Sequence, residues 1–186
     1  MVERLKAEHN VDVEWRPFYL YFDTPPEGRD LPDYIKRARV NGSEERLASM
    51  ARSYGMDFRS TERIYNTRVA HEATEYAREH GKANEFHKIV FCMVYAEGKD
   101  ISQWDVLRSA AQEAGLDGEA MQRDVESGRY TESVNEQVQW AYQIGVTGVP
   151  TYVINDRYAI VGAQPYEVFM GALEQIEKQS SSDDEM

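Results

Sequence analysis

The sequence predicts an α/β fold in which a long helical block interrupts a smaller part made of strands and helices. Two short β-rich runs near the C-terminus, 151–154 and 157–161, flank Asn155 and Asp156. Both residues tolerate a positive φ, so the pair predicts a primed turn and an antiparallel hairpin. Before the hairpin, residues 31–144 carry apolar side chains at helical spacing almost throughout. The predicted order is strand, helical block, hairpin and final helix.

The first thirty residues predict the end of a helix, a strand and a loop. Residues 2–10 are typical of a helix end, and residues 11–16 alternate apolar and polar side chains as a half-buried strand does. Pro17 ends that strand, and the alternation continues in a shifted phase as far as Phe22. Residues 23–30 are rich in turn formers, so we expect a loop there.

The helical block carries start and stop signals for several helices. Ser, Thr, Asn and Asp side chains accept hydrogen bonds from the free N–H groups that open a helix. The predicted starts are Ser43, Asn66 or Thr67, Ser102, Asp117, and Thr131 or Ser133. Glycine follows several of the predicted ends, where a left-handed residue closes a helix. The helix after Glu85 is apolar nearly all round, so we expect it at the centre of the helical layer.

Composition excludes several functional classes. A formal net charge of −12 argues against binding to the phosphate backbone of nucleic acids. The sequence has no run of 18 apolar residues, so we expect no membrane span, and we also expect no secretory signal. Cys92 is the one cysteine, which excludes an internal disulfide and is typical of a reducing compartment. We therefore expect a cytoplasmic protein.

The stretch around the hairpin carries a family resemblance. Residues 145–151 read Gly-Val-Thr-Gly-Val-Pro-Thr, and after the hairpin residues 162–165 read Gly-Ala-Gln-Pro. Near the N-terminus stand Val-Glu-Trp-Arg-Pro-Phe and Pro-Pro-Glu-Gly, and Glu-Phe-His-Lys begins at residue 85. This ordered set, from about residue 3 to residue 177, resembles DsbA-like thioredoxin-fold proteins. It is most similar to the FrnE-type branch of dithiol–disulfide isomerases and oxidoreductases.

The resemblance implies a thioredoxin-like fold that is N-terminally truncated and carries a large inserted all-helical domain. Residues 1–30 and 145–179 would form the thioredoxin-like part, and residues 31–144 the inserted helical domain. The remaining segment, 180–186, is polar and acidic until its last residue, so we expect a disordered tail.

The same resemblance implies a binding site at the start of the hairpin. The Val149–Pro150 bond would be cis and border a substrate groove, with Gly148, Val149, Pro150 and Thr151 lining it. The residue before such a proline offers backbone groups to an extended peptide. The expected partners are protein thiols and disulfides, or a small thiol such as glutathione. Thiol–disulfide exchange needs no cofactor.

Nothing in this chain matches the catalytic motif of the family. Members open with a central strand and then Cys-x-x-Cys at the start of the first helix. We therefore expect a truncated chain with no catalytic residue of its own, inactive in disulfide exchange as written. Without the first strand, residues 11–16 also lack a neighbour that would join them to residues 151–154.

Two alternative functions stay open at this point. Kappa-class transferases and hydroxychromene-carboxylate isomerases resemble the same layout, depend on glutathione, and carry a serine where the first cysteine would stand. That position has no counterpart here, so the chain does not decide between cysteine and serine. A non-catalytic relative that keeps only the peptide groove is the second alternative.

Single cysteine and histidine residues predict packing rather than chemistry. The apolar neighbours of Cys92 predict a buried thiol. The four histidines, His9, His71, His80 and His87, show no metal-ligand spacing with each other or with the cysteine, so we expect no metal site. His87 borders the most apolar helix, where we expect a hydrogen-bonded packing role.

Overall fold

A computed structural model describes residues 2–53 and 55–183, with side chains as far as Gln179. The helices in this part of the chain are α1 (Val2–Glu8), α2 (Asp33–Val40), α3 (Ser43–Ser53), α4 (Arg68–Glu79), α5 (Ala83–Tyr95), α6 (Trp104–Glu113), α7 (Gly118–Glu126), α8 (Thr131–Gln143) and α9 (Tyr166–Asp183). The strands are β1 (Arg29–Asp30), β2 (Arg63–Ile64), β3 (Thr151–Ile154) and β4 (Tyr158–Val161). They form two antiparallel pairs, β1 with β2 and β3 with β4.

The chain divides into two compact units. Unit 1 combines the segment up to Glu14 with the segment from Trp140 onward, and unit 2 comprises Trp15–Gln139. The boundaries predicted from sequence were 30/31 and 144/145. The first observed boundary lies earlier because Trp15 packs within unit 2, where its indole N–H donates to Asn84 Oδ1 at 3.1 Å.

The core of unit 2 is formed by α4, α5, α6 and α7. Their buried side chains recur every three or four positions, so that one face of each helix is covered. Phe86, Leu107 and Met121, from three of these helices, are fully buried. Each such side chain stabilises the fold by roughly 1.5–3 kcal/mol. The prediction that α5 lies at the centre was wrong, because α4 packs against α5, α6 and α7, whereas α5 packs against α4 and α6.

The start of α7 shows how local signals set this packing. The carboxylate of Asp117 accepts hydrogen bonds from the N–H groups of Glu119 and Ala120, each at 3.0 Å, which confirms the predicted cap. The next residue, Gly118, lies against α6. A Cβ at that position would stand 3.0 Å from the Cα and the carbonyl oxygen of Arg108, so glycine permits the close approach of the two helices.

Residues 29–64 form a helical hairpin that a short ladder closes at its base. β1 and β2 pair with Arg29 opposite Ile64, and α2 packs against α3 between them. Neither α2 nor α3 contains a buried residue. This α2–α3 hairpin (residues 29–64) therefore leaves much of its apolar side-chain surface in solvent.

Unit 1 contains the predicted C-terminal hairpin and the two helices that pack on it. Asn155 and Asp156 have φ values of 51° and 53°, which confirms the primed turn. Leu5 of α1, Ile160 of β4 and Phe169 of α9 form a small buried core.

Residues 11–16 are not a strand. Their predicted alternation is visible in burial, since Val11, Val13 and Trp15 are half-buried while their neighbours are exposed. A strand needs a ladder as well as an extended backbone, and the described residues provide no partner strand here. In the predicted tail, α9 continues to Asp183, and residues 184–186 lie outside the described residues.

Candidate functional site

The four predicted site residues lie together where the chain passes from α8 into β3. The Val149–Pro150 peptide bond is cis. The hydroxyl of Thr151 donates a hydrogen bond to the carbonyl oxygen of Gly148 at 2.7 Å, across the proline. The side chain of the first strand residue thus closes the turn that carries the other three.

The far end of the hairpin fixes this turn from its other side. The N–H of Gly162 donates to the carbonyl oxygen of Pro150 at 2.8 Å, and Gly162 has a φ of +84°, a conformation that favours glycine. The side-chain amide of Gln164 donates to the carbonyl oxygen of Val161 at 2.9 Å. Two residues of the Gly-Ala-Gln-Pro motif therefore position the turn through the backbone of β4 and Pro150.

Val149 is an exposed residue whose backbone groups are unpaired within the described chain. Its residue surface is 52% exposed, and the adjoining Pro150 is exposed as well. Among the residues that the structure describes, the N–H and carbonyl groups of Val149 have no hydrogen-bond partner. Strand β3 pairs with β4 along one edge, and the other edge has no ladder partner in the described chain.

The turn offers backbone and apolar groups. Residues 144–151 contain no acid, base or thiol, so they offer only backbone groups, a hydroxyl and apolar surface. An open strand edge with free backbone donors and acceptors can add an extended peptide as a further strand. Hydrogen bonds to Val149 would then determine the register of the added chain.

A polar cluster that the sequence did not indicate joins α1 to α9 within unit 1. Glu8 accepts hydrogen bonds from Arg4 Nε at 2.8 Å and from the Tyr166 hydroxyl at 2.7 Å, and the Arg4 guanidinium lies 3.7 Å from the centre of the Tyr166 ring. The bond from Arg4, and then the bond from Tyr166, lower the pKa of the Glu8 carboxyl. The partners are 158 residues apart in sequence, so no local pattern could reveal them.

Cys92 is exposed, and the prediction of a buried thiol was wrong. Phe86, Val90 and Met93 form the buried face of α5. Cys92 lies two residues beyond Val90, which turns it through about 200° and away from that face. Apolar neighbours in sequence therefore gave no indication of the direction in which this side chain points.

Two histidines of unit 2 come close enough to interact. Burial, and then the charge of His87, lower the pKa of His71 to about 4, and burial lowers the pKa of His87 to about 4. His71 Nε2 lies 3.3 Å from the hydroxyl of Thr67. The ring of His87 stacks on Trp15 with 4.0 Å between centroids. Both imidazoles are therefore neutral at pH 7 and pack as rings.

Neither a metal centre nor a membrane span is found in the described chain. No group of three or more His, Cys, Asp or Glu side chains there could hold a metal ion. Across residues 2–53 and 55–183, every helix is too short or too polar to cross a bilayer.

Comparison with known proteins places this geometry in a family. The DSBA-like thioredoxin domain matches residues 1–174. YwbO, an uncharacterised protein of Bacillus subtilis (strain 168), is 30% identical over 179 residues, which cover 95% of this chain and 87% of that protein.

Two solved structures have a similar fold. The crystal structure of a probable DsbA oxidoreductase from Streptomyces coelicolor is 28% identical with a TM-score of 0.69, and the match covers 74% of this chain and 60% of that one. A 2-hydroxychromene-2-carboxylate isomerase has a TM-score of 0.77 at 19% identity, over 97% of this chain and 89% of that chain, a likeness of fold alone. With its family match extending over residues 1–174, the chain belongs to the DSBA-like thioredoxin-domain family.

Proposed function

We propose that this chain is the substrate-binding part of a FrnE-type thiol–disulfide oxidoreductase or isomerase. Gly148, Val149, Pro150 and Thr151 receive an extended polypeptide that carries a thiol or a disulfide. One observation carries the proposal: Val149 is exposed, its backbone groups have no hydrogen-bond partner in the described chain, and it lies just before β3, whose outer edge has no ladder partner there. Membership of the DSBA-like family supports thiol or disulfide substrates.

The chemistry of such a protein needs two thiols. A thiolate attacks one sulfur of the substrate disulfide, the disulfide bond breaks, and a mixed disulfide forms while the other substrate sulfur leaves as a thiolate. A second thiolate then attacks the mixed disulfide, which releases the reduced substrate and leaves an oxidised pair. The 186 residues contain one cysteine and cannot complete the second step among themselves. We propose that they bind substrate without catalysing exchange, in the cytoplasm.

Reduction of insulin by dithiothreitol tests the absence of exchange. We expect the chain to leave the rate of insulin precipitation at the value for dithiothreitol alone. Cys92→Ser is the matched variant, because it removes the one exposed thiol. Acceleration by the unaltered chain would contradict the proposal, and its loss in Cys92→Ser would assign the activity to that thiol.

Titration of the 15N-labelled chain with an unstructured peptide tests binding at the turn. The peptide carries an S-methylated cysteine, and its control is the same sequence with N-methylated backbone amides. We expect the amide signals of Val149 and Thr151 to shift with the first peptide and not with the second, because strand addition needs free backbone N–H groups. Val149→Ala keeps the backbone donor and should bind, whereas Val149→Pro removes it and should not.

The same titration separates the two alternatives. Glutathione that binds at the turn while the peptide does not would favour a glutathione-dependent isomerase or transferase. Peptide binding by a full-length protein that never reduces or oxidises a substrate would favour a non-catalytic relative. Signals at the turn that stay unmoved by either ligand would refute the binding site itself.

A further inference from the structure

Five aromatic rings form a continuous row in unit 2, along one side of α5. The centroids of Trp15 and His87 are 4.0 Å apart, those of His87 and Phe91 are 4.3 Å apart, and those of Phe91 and Tyr95 are 5.5 Å apart. The ring of Tyr95 stacks in turn on Phe58 at 6.2 Å. Three members stand four residues apart on the helix, so this part of the row alone is about 12 Å long.

The part of the row formed by Phe91 and Tyr95 is exposed to solvent. Phe91 is 50% exposed and Tyr95 is 45% exposed, although the opposite face of α5 is buried in the core of unit 2. Large rings ordered by their neighbours lose little conformational entropy when a ligand covers them, which makes such rings common anchors in binding sites. The aromatic row (Trp15, His87, Phe91, Tyr95 and Phe58) is thus an ordered apolar strip.

A pocket lies at the Tyr95 end of this row, against the α2–α3 hairpin. Its volume is about 250 Å³, below the roughly 300–1,000 Å³ typical of small-molecule sites. Apolar lining comes from Tyr34, Ile35, Leu47, Phe58 and Tyr95. This volume suits one large side chain, and the strip outside it suits the chain that carries that side chain.

Arg39 gives the pocket a positive group. The Nη2 group of Arg39 donates a hydrogen bond to the carbonyl oxygen of Thr61 at 2.6 Å, and its Nε lies 3.8 Å from a carboxylate oxygen of Glu44. A guanidinium has five N–H donors, so these two contacts leave donors for a carboxylate that enters the pocket mouth. The side chain is 25% exposed, which keeps those donors within reach of a ligand.

The charge around this surface is opposite in sign to that of the molecule. Residues 29–64 contain eight Lys and Arg against six Asp and Glu, whereas the whole chain has 21 against 33. Helix α5 has no carboxylate after Glu85, and the next acidic residue is Glu97. An acidic ligand is therefore repelled by most of the chain and attracted here.

We propose that the aromatic row and the pocket beside the α2–α3 hairpin bind an extended, acidic polypeptide segment. One large apolar side chain of the segment fills the pocket, a neighbouring carboxylate pairs with Arg39, and the remaining apolar side chains lie on Phe91 and Tyr95. This inference goes beyond the proposed function and does not depend on it, because all of these residues belong to unit 2 and none is a thiol.

Fluorescence anisotropy with three labelled octapeptides tests the proposal on the unaltered chain. The probe is Gly-Asp-Glu-Phe-Leu-Asp-Glu-Gly, the second peptide has Lys in place of Asp and Glu, and the third has Ser in place of Phe and Leu. We expect the probe to bind at least about ten times more tightly than either control, because both the anchor and its charge contribute. Equal binding of all three would overturn the proposal.

Single substitutions locate the binding. We expect Phe91→Ser and Tyr95→Ser each to weaken probe binding about tenfold, as loss of a central aromatic anchor does. Phe22→Ser is the matched control, because Phe22 is 74% exposed in the same unit but lies outside the row, and it should leave the affinity unchanged. Arg39→Gln should weaken binding and reduce its dependence on salt.

Sedimentation velocity distinguishes a peptide from a second copy of the chain. We expect the unaltered chain and Phe91→Ser to sediment alike at all concentrations. Self-association that Phe91→Ser abolishes would show that this face joins two copies, and the peptide proposal would be wrong. If Phe22→Ser reduces the affinity for the probe as strongly as Phe91→Ser does, the assigned surface is wrong.

Discussion

Protonation of His71 or His87 opposes the fold of unit 2, because burial favours the neutral imidazole. Each has a pKa of about 4 in the folded chain, against an ordinary value of 6.5. Between these two pH values the unfolded chain binds a proton that the folded chain does not. The stability that neutral histidine provides is therefore complete above pH 6.5 and is lost as the pH falls toward 4.

We predict that His71→Gln makes the free energy of unfolding less dependent on pH. The glutamine can still reach the Thr67 hydroxyl, which lies 3.3 Å from His71 Nε2, but it binds no proton. Between pH 7 and pH 4.5 the unaltered chain should lose about 2 kcal/mol more than the variant does. Urea unfolding of both proteins at the two pH values measures this difference, and equal losses would contradict it.

For single residues, the sequence predicted the conformation or role of those whose hydrogen-bond partners are close in sequence. Asp117 caps a helix whose N–H groups are two and three residues away, and Asn155 and Asp156 adopt the conformation that their own side chains permit. The prediction for Cys92 was wrong, because the direction of a side chain depends on how helices pack. The proximity of His71 and His87 was not predicted for the same reason.

The contact between α6 and α7 requires glycine at position 118, whereas no neighbouring atom requires glycine at position 171. A Cβ on Gly118 would stand 3.0 Å from the Arg108 backbone, whereas a Cβ on Gly171, in α9, would meet nothing within 4 Å. The two positions therefore form a matched pair for the same substitution.

We predict that Gly118→Ala lowers the free energy of unfolding by about 1–3 kcal/mol, because the backbone of α6 must move to admit the methyl group. Gly171→Ala should raise it by roughly 0.5–1 kcal/mol, because alanine loses less backbone entropy inside a helix. Chemical unfolding of the two variants beside the unaltered chain measures both changes. If Gly118→Ala has the same free energy of unfolding as the unaltered chain, α6 and α7 can move apart without loss of stability.

The elements of this chain were predictable to different degrees. Apolar periodicity predicted most helices of unit 2, because a helix makes its hydrogen bonds within its own segment. The predicted cap at Asp117 was correct, whereas the predicted cap at Ser102 was wrong, since Gln103 precedes α6 and its side chain makes no cap hydrogen bond. The alternation in residues 11–16 gave the correct faces but not a strand, because a ladder requires a second segment that the local pattern does not contain. The turn at Gly148–Thr151 was found through a motif, since its geometry depends on nearby residues of one hairpin.

The two units differ in the number of chain segments that form them. Unit 2 is one continuous segment, Trp15–Gln139, and its main buried cluster has sixteen residues among those that the structure describes. Unit 1 needs both ends of the chain, and its buried core comprises Leu5, Ile160 and Phe169. The aromatic row was not predicted, because it joins Trp15 to α5 and Phe58 to Tyr95, which are far apart in sequence.

We predict that residues 15–145, which keep α8 whole, fold without the remainder of the chain. The isolated segment should show helical circular dichroism and a single cooperative transition in urea, since its core is complete within it. Residues 146–186 alone should show neither, because the core of unit 1 also requires α1. A non-cooperative transition of residues 15–145 would mean that unit 2 depends on unit 1.

The division also has a consequence for synthesis on the ribosome. Residues up to Glu14 are synthesised before unit 2, yet their partners in unit 1 are translated only after Gln139. At about 5–20 residues per second, α1 waits several seconds or longer for β3, β4 and α9 while unit 2 already has its whole sequence. During that interval Leu5 is an apolar side chain without its core partners, because Ile160 and Phe169 have not yet been synthesised.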